Sequence, residues 1–565
     1  MNYVDRYSFW CNAKLPEDMK QELAAIADCE EELKSRFGCD LQFGTAGMRG
    51  IMGAGSNRLN RYTVRRAAQG MAAWLSGTDL PKIAAIGYDS RHNSQLFAEV
   101  CAVAFAEAGI CTYLYDRLAP TPMLSFAVRK LGCGCGIVIS ASHNSGEYNG
   151  VKCYGPDGCQ MTDEPAAVVT EQIARIPYFV PEQKSFQEFL EEGLIRYIGQ
   201  DIWEAYYQTV LHEAVDAQML RDSGLNVVYT PLCGTGNEPV REVLGRLNVN
   251  IHIVACQEKP DGDFKTCEYP NPETDAALAE SYKVADNVPC DVILGTDPDC
   301  DRVAIAVPDQ GGYVKLTGNE LGCMLLEYIL KARKIQNTIP DNAITVRSIV
   351  SSPLADRIAS AYGVTMKAVL TGFKYIGGEI LELENIGEEK RFVFGFEESC
   401  GYLKGTYARD KDAVVASMLV CEMAAYFKKQ GKSVLDALRE LYETYGQFLS
   451  KVQSIELTGA DAMEKAAKMM SDFRENKPDM IGGVPVTVFR DYKARTEMNM
   501  ISGEKSVIAL PSSNVLEFIL GDSGSVIIRP SGTEPKIKFY YTASASTKPD
   551  AQALLENMIN QFKNI

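Results

Sequence analysis

Short apolar runs that break into polar, glycine-containing loops recur along much of the chain. They are KIAAIGYDSRHN (82–93), GCGIVISASHNSG (134–146), LNVVYTPLCGTGN (225–237), CDVILGTDPDCDR (290–302), NAITVRSIVSS (342–352) and KRFVFGFEESCGY (390–402). Each has the length and the bounding residues of a buried strand. Stretches such as SQLFAEVCAVAFAEAG (94–109) and NEPVREVLGRLN (237–248) lie between them and predict helices. Strand, loop, helix, strand is the signature of α/β units with largely parallel sheets. Ligands of such sheets gather beyond the carboxyl ends of the strands, where these polar loops fall.

The pattern changes near residue 450. KVQSIEL, VPVTVFRDY, KSVIALPSS, NVLEFILGDS, GSVIIRPSG and PKIKFYYTAS are closely spaced strand-like pieces, and DAQALLENMINQFKN closes the chain as a helix. That predicts an α+β domain. Two further boundaries, near 210 and 325, follow helical blocks and precede new α/β series. Expected domains are therefore 1–210, 211–325, 326–450 and 451–565, as suits a chain of 565 residues.

Composition narrows the partners. The chain has 57 basic and 74 acidic residues, a formal net charge of -17. A protein that grips nucleic acid or an anionic membrane presents a basic surface, so neither is an expected partner. A local cluster of arginine and lysine still allows a small anionic substrate. The 17 cysteines sit singly in apolar stretches such as CAVAFAEAG and ELGCMLLEY, where cysteine acts as a small hydrophobe. They read as reduced thiols, and the expected location is cytoplasmic. Cys133 and Cys135 have no second pair or histidine nearby in sequence and are assigned to packing. The first residues, MNYVDRYSFWCNAKLPED, hold no apolar core of signal-peptide length, and no stretch reaches membrane-spanning length.

The sharpest chemical signal is GTDPDCDR, where Asp297, Asp299 and Asp301 alternate after the apolar run DVIL. In an extended segment, alternate residues share one side, which would bring the three carboxylates together with Cys300 pointing away, while Pro298 leaves a solvated acidic turn open as the alternative. Carboxylates so close repel unless a cation or arginine neutralises them, and a hard divalent ion suits an all-oxygen set. In RPSGTEPK (529–536), Arg529 and Lys536 bring charge, Ser531 and Thr533 hydroxyls, and Gly532 backbone freedom. On these residues alone, an anion nest and a plain turn are both open. FGFEESCGY places Glu397, Glu398 and Ser399 after a strand-like run, suited to polyol hydroxyls or to a solvated acidic turn. GTAGMRG (44–50) offers Arg49 and glycines, a weak sign of an anion site. No GxxxxGK[ST] loop occurs, and GCGCG precedes its strand, so an ATP P-loop and a Rossmann dinucleotide site are disfavoured. Ser142 and His143 follow GIVISA, with Lys152 ten residues beyond Ser142. The segment lacks a GxSxG elbow, which sets it apart from serine hydrolases. Fixing the loop is the preferred reading for His143, ahead of general-base work.

SASHNSGEYNGVK, DPDCDR, FEESCGY and RPSGTEPK, in this order, resemble the motifs of the α-D-phosphohexomutase superfamily. With FGTAGMRG, GYDSRH, YTPLCGTGNEPV and LTGFKYIG, the resemblance is closest to its phosphoglucomutase and phosphopentomutase branch and covers about residues 40 to 565. It implies a four-domain architecture, three mixed-sheet α/β domains and a C-terminal α+β domain around a central cleft. It implies that Ser142 carries a phosphoryl group as phosphoserine and, with Asp297, Asp299 and Asp301, holds Mg2+. Arg302 matches the arginine beside that loop. Arg49, His143 and Lys152 match residues around the transfer site, with Lys152 the expected proton-transfer group. Glu397 and Ser399 match sugar-hydroxyl ligands, and Thr371, Gly372 and Lys374 a loop that distinguishes sugar orientation. Arg529, Ser531, Gly532, Thr533 and Lys536 match the cradle of the non-reacting phosphate, and Arg409 and Lys411 lie near the substrate phosphate.

The implied reaction is reversible conversion of α-D-glucose 1-phosphate and glucose 6-phosphate, with glucose 1,6-bisphosphate as activator and intermediate. The implied partner is a sugar-phosphate substrate, and a monomer is expected. Phosphopentomutase action on ribose or deoxyribose phosphates is the main rival. Phosphomannomutase, glucose-1,6-bisphosphate synthase and a non-catalytic sugar-phosphate sensor are further alternatives. The family motif TASHNP is altered here at Ser140 and Ser145, and Cys233 stands where histidine is common. None of these changes removes a reacting group.

Overall fold

The computed structural model describes residues 1–44, 47–457, 462–530 and 536–563. It packs as two compact units. The first comprises 1–318, 376–395 and 399–431, and the second 319–375, 396–398 and 432–565.

In the first unit, a six-stranded sheet runs in the order Gly47–Ile51, Tyr148–Tyr154, Cys135–Ile139, Ile83–Tyr88, Cys111–Leu114, Ile195–Tyr197. The last four strands are parallel to one another, joined by helices such as Ser94–Glu107 and Thr121–Lys130. The first two are antiparallel to their neighbours. GIVI and AAI bury every residue, as expected of strands covered on both faces. Helix Ser94–Glu107 is alanine-rich and buried around most of its girth, which lets it lie close to the sheet. Helix Arg61–Ser76 starts from a capping box, with Asn60 accepting from the amide of Thr63 while Thr63 Oγ1 accepts from that of Asn60.

A five-stranded sheet follows: Gly312–Lys315, Val303–Asp309, Val292–Thr296, Asn226–Thr230, Asn250–Ile253. Its last three strands are parallel and its first two antiparallel. Both sheets are thus mixed, as the resemblance implies, with parallel strands at their centre as the polar-loop pattern predicts. The reason for the mixing is local. After Cys135–Ile139 and after Val292–Thr296 the chain turns back directly and pairs antiparallel with the strand it has just left.

Three N-terminal helices, Tyr3–Cys11, Glu17–Ala25 and Glu30–Phe37, were not among the predicted elements. They close on Trp10, which meets Phe37, Tyr62, Tyr178 and Phe179 edge-on.

In the second unit, strands Ile344–Ser348 and Thr365–Val369 pair in parallel. Residues 447–545 supply a seven-stranded antiparallel sheet. Helices Ala462–Glu475 and Lys548–Gln561 contribute Met470 and Met558 to a core with Phe518 and Phe539. Tyr492, Ile527 and Tyr540 form a second cluster with Ile349, Val350 and Leu370. The expected strand-rich C-terminal domain and its closing helix are present. Among the described residues, no helix is long and apolar enough to cross a membrane.

Candidate active site

Strand Cys135–Ile139 ends in the loop 140–147, and strand Tyr148–Tyr154 brings the chain back beside it. Ser142 sits in the turn with φ 52°, a left-handed angle uncommon for a residue with a side chain. Its amide donates to Ser140 Oγ at 2.8 Å, so the departure from threonine at 140 keeps the hydroxyl that the turn uses. Lys152 lies opposite Val138 on one side and Gly47 on the other. Arg49, two residues along the edge strand, donates from Nη1 to Asn144 Oδ1 at 2.9 Å.

The aspartates come from the corresponding place in the next sheet, the loop between Val292–Thr296 and Val303–Asp309. They do not converge by extended alternation as predicted. The segment is a tight turn in which the Cys300 amide donates to the Asp297 carbonyl at 2.9 Å and Cys300 takes φ 54°. Asp297 Oδ1 accepts from the amides of Asp301 and Arg302, folding the loop around its own first carboxylate. The Cys300 thiol packs against Gly236.

Oxygens of Asp297, Asp299 and Asp301 lie within 4.8 Å of one another, and all three residues are buried. Ser142 Oγ donates to Asp297 Oδ2 at 2.7 Å, and His143 Nδ1 is 3.1 Å from the same hydroxyl. Lys152 Nζ reaches Asp299 Oδ2 at 2.5 Å and Asp301 Oδ2 at 3.1 Å, and Lys411 Nζ reaches Asp301 at 3.0 Å. Arg302 contributes Nε at 3.8 Å from Asp301 and Nη1 at 3.1 Å from Glu273.

The electrostatics follow from burial and neighbours. Asp297 is pushed well above the carboxylate range by burial and by the charges of Asp299 and Asp301. Burial also acts to raise Asp299 and Asp301, but Lys152, with Lys411, outweighs it and holds both below the usual value. Burial alone would lower Lys152. The two carboxylates reverse that, so it is a firmly protonated ammonium. His143 is driven well below its ordinary value by burial and by Arg302 and Arg49, leaving a neutral imidazole beside the serine. Oδ1 of Asp299 and Oδ1 of Asp301 are buried without a hydrogen-bond partner. Orphaned carboxylate oxygens, three convergent acids and the absence of a histidine or thiolate in the set fit a hard, oxygen-seeking divalent cation.

The other predicted residues fall into separate groups. In the second unit the Gly372 amide donates to Glu397 Oε1 at 2.7 Å, Ser348 Oγ donates to Glu398 at 3.0 Å, and Thr371 Oγ1 is buried without a hydrogen-bond partner. Thr371, Gly372 and Glu397 are therefore brought together, with Lys374 two residues after Gly372 and over the Tyr375 ring. Ser399, half-buried, precedes strand Gly401–Leu403 of the first unit. Arg529 and Lys536 stand at facing ends of neighbouring strands and flank the expected phosphate cradle. Ser531, Gly532 and Thr533 lie outside the described residues. Arg409 does not face the aspartates. Its Nη2 pairs with Glu384 at 2.7 Å, and Nη1 donates to the carbonyl of Thr406.

Sequence reasoning passed over three residues that hold the site. Arg91, in GYDSRHN, donates to carbonyls of the Ser142 loop and of Tyr148. Thr121 donates its hydroxyl to Asp299 Oδ2 at 3.0 Å and its amide to the Asp299 carbonyl at 2.9 Å. Asp410 accepts from Tyr154 and pairs with Lys411. An arginine or threonine in a loop at the carboxyl end of a strand, close to such acids, was the available signal.

Comparison with known proteins agrees with this geometry. Residues 40–178, 204–312 and 317–445 match phosphoglucomutase/phosphomannomutase alpha/beta/alpha domains I, II and III, and 486–560 match its C-terminal domain. A phosphoglucomutase of Staphylococcus epidermidis is 36% identical over 516 residues, 91% of this chain and 92% of that one. The open form of the phosphoglucomutase pp63/parafusin from Paramecium superposes with a TM-score of 0.66 at 16% identity, covering 93% of this chain and 94% of that one. N-acetylphosphoglucosamine mutase of Aspergillus fumigatus, solved with GlcNAc-6P and magnesium, gives 0.52 at 14% identity, covering 97% and 99%. With its four domains matched in order, the chain belongs to the phosphoglucomutase/phosphomannomutase family and is a phosphomutase.

Proposed function

We propose that this chain interconverts α-D-glucose 1-phosphate and glucose 6-phosphate through a phosphoserine at Ser142, with glucose 1,6-bisphosphate as intermediate and activator. One observation carries the reading. A serine hydroxyl in a left-handed turn lies 2.7 Å from a buried carboxylate in a cluster of three, flanked by a lysine ammonium. That set suits a group that gives and takes phosphate, since both the donor oxygen and a neutralising centre are at hand. The glucose assignment draws on the phosphoglucomutase from Staphylococcus epidermidis.

Asp297, Asp299 and Asp301, with a phosphoryl oxygen on Ser142, would hold magnesium, the ion present with the Aspergillus mutase. Bound there, the ion would offset charge on the transferring phosphoryl oxygens. In the forward step a sugar hydroxyl oxygen bonds to phosphorus while the bond to Ser142 Oγ breaks. The proton given up by the sugar hydroxyl is balanced by one taken up at the released Ser142 Oγ, and both proton movements run in reverse when the next phosphate bonds to Oγ. Neutral His143, 3.1 Å from Oγ, suits orientation of the serine. Lys152, held as an ammonium, suits proton donation and charge stabilisation at the oxygen that is released. Arg49, Arg302 and Lys411 add positive charge around the phosphoryl group.

Thr371, Gly372, Lys374, Glu397 and Ser399 are assigned to the sugar. The buried, unpartnered Thr371 hydroxyl beside Glu397 supports a polar ligand there. Arg529, Ser531, Gly532, Thr533 and Lys536 are assigned to the phosphate that is not in transfer. Arg409 is assigned to holding its loop through Glu384, with any effect on substrate phosphate transmitted by Lys411. Cysteines outside any disulfide agree with a cytoplasmic setting.

The test is a side-by-side comparison of kcat/KM for glucose 1-phosphate, mannose 1-phosphate and ribose 1-phosphate, each with magnesium and catalytic bisphosphate. Glucose 1-phosphate is expected to lead. Preference for ribose 1-phosphate would replace the hexose assignment by a pentose one.

A further inference from the structure

Arg91 is fully buried at its side chain and stands just outside the reacting groups. Its Nη1 donates to the carbonyls of Ser145 at 2.7 Å and Tyr148 at 3.0 Å. Nη2 donates to the carbonyls of Ser142 at 2.6 Å and Asn144. One planar guanidinium thus gathers three carbonyls of the loop, including that of the residue held at φ 52°, and the carbonyl of Tyr148 at the start of the returning strand. Asp89 fixes the arginine in turn. Its Oδ2 is 3.4 Å from Nε, and its Oδ1 accepts from the Arg91 amide at 3.0 Å and from Ser94 Oγ at 2.8 Å.

The open face of the guanidinium is covered from the next sheet's domain. The Phe264 ring centroid lies 4.9 Å from Arg91 Cζ, and Phe264 is itself buried at a left-handed φ of 49°. Asp263 Oδ1 meets His92 Nε2 at 2.6 Å. Gly262 threads between the two strand-end loops. A Cβ there would fall 2.7 Å from the His92 amide nitrogen, and one on Gly146 would fall 2.6 Å from the Gly262 carbonyl. Neither position has room for a side chain, so the turn 261–264 is seated against both the Arg91 loop and the Ser142 loop.

We propose that Arg91 and Phe264 form a clamp that holds the Ser142 loop in its transfer geometry. Arg91 is a positioning residue, and the turn 261–264 is its cover. The inference rests on the phosphoserine reading of Ser142. The clamp sets where Ser142 Oγ sits relative to the aspartates, and it shields the loop from water. A loosened loop therefore lets water, in place of a sugar hydroxyl, take the phosphoryl group. In that side step the phosphorus–Oγ bond breaks, a water oxygen bonds to phosphorus, and the products are inorganic phosphate and free Ser142.

The experiment labels wild type, R91K and F264A with 32P from glucose 1,6-bisphosphate. It then follows, in single turnovers with magnesium, the label passed to glucose 1-phosphate and the label lost as inorganic phosphate. Melting temperatures are recorded alongside. A lysine ammonium cannot serve four carbonyls at fixed angles, so R91K is expected to slow transfer about 100-fold, with KM little changed. F264A is expected to lose about tenfold, since Arg91 remains. Both are expected to raise the fraction of label lost to water. Should R91K not fold, F264A decides. Folded variants that transfer and hydrolyse at wild-type rates overturn the clamp. Wild type that takes no label at Ser142 overturns the phosphoserine reading instead, so the two failures are distinct.

Discussion

Ser142, Asp299 and Lys152 illustrate how single residues divide the work. Lys152 neutralises Asp299 at 2.5 Å, so replacing Asp299 removes a proposed cation ligand and frees an ammonium at once. D299N is expected to weaken apparent magnesium affinity by at least about 100-fold and to slow phosphoryl transfer with it, since even outer partners of metal ligands cost 10–100-fold. Magnesium titration of initial rates checks this, and an unchanged titration curve contradicts the ligand role. At this scale the residues that the structure brings together were legible, because serine, aspartate and lysine stood in recognisable strings. Arg91 was not, because its role lies in four backbone carbonyls that a sequence does not show converging. Nor was the Glu384 partner of Arg409 visible in the sequence. That arginine stands two residues before Lys411, yet its guanidinium turns to Glu384.

Among elements, the two tight returns matter most. Cys135–Ile139 to Tyr148–Tyr154 and Val292–Thr296 to Val303–Asp309 each carry chemistry on a loop whose exit strand pairs with its entry strand. The apolar runs revealed the entry strands. The direction of the exit strands was not legible, because pairing direction depends on the loop's path and not on strand composition. Helix Ala413–Lys429 carries a different consequence. Its Glu422 is buried and accepts from the amides of Val215 and Asp216, and burial, partly opposed by those bonds, pushes its carboxyl up to about 7 from 4.5. The folded state therefore keeps a proton that the unfolded chain releases earlier. This contribution is full below about pH 4.5 and is lost as pH rises through about 7. Between pH 5 and 8 it amounts to about 2 kcal/mol. E422Q is expected to gain on wild type by that amount over the same interval in denaturant unfolding, and a pH-independent difference contradicts the account.

For the whole molecule, the four-domain order was legible because four loop motifs follow one another over most of the chain. The N-terminal helices escaped notice because their cluster is completed by Tyr62, Tyr178 and Phe179, far away in sequence. The cysteine reading also belongs at this scale. None of the 17 cysteines is in a disulfide, and Cys11, Cys29, Cys39 and Cys256 are exposed. A disulfide-exchange reagent is expected to modify those four first in the native protein and all 17 after denaturation without reductant. A smaller final count contradicts a fully reduced chain. The central claim is that Ser142 carries the phosphoryl group, and the most direct measurement is mutase turnover of S142A beside wild type, with glucose 1-phosphate, magnesium and catalytic glucose 1,6-bisphosphate. The account predicts a folded S142A whose turnover falls by at least about 1,000-fold, as expected when a covalent nucleophile is removed; turnover near the wild-type rate would contradict it.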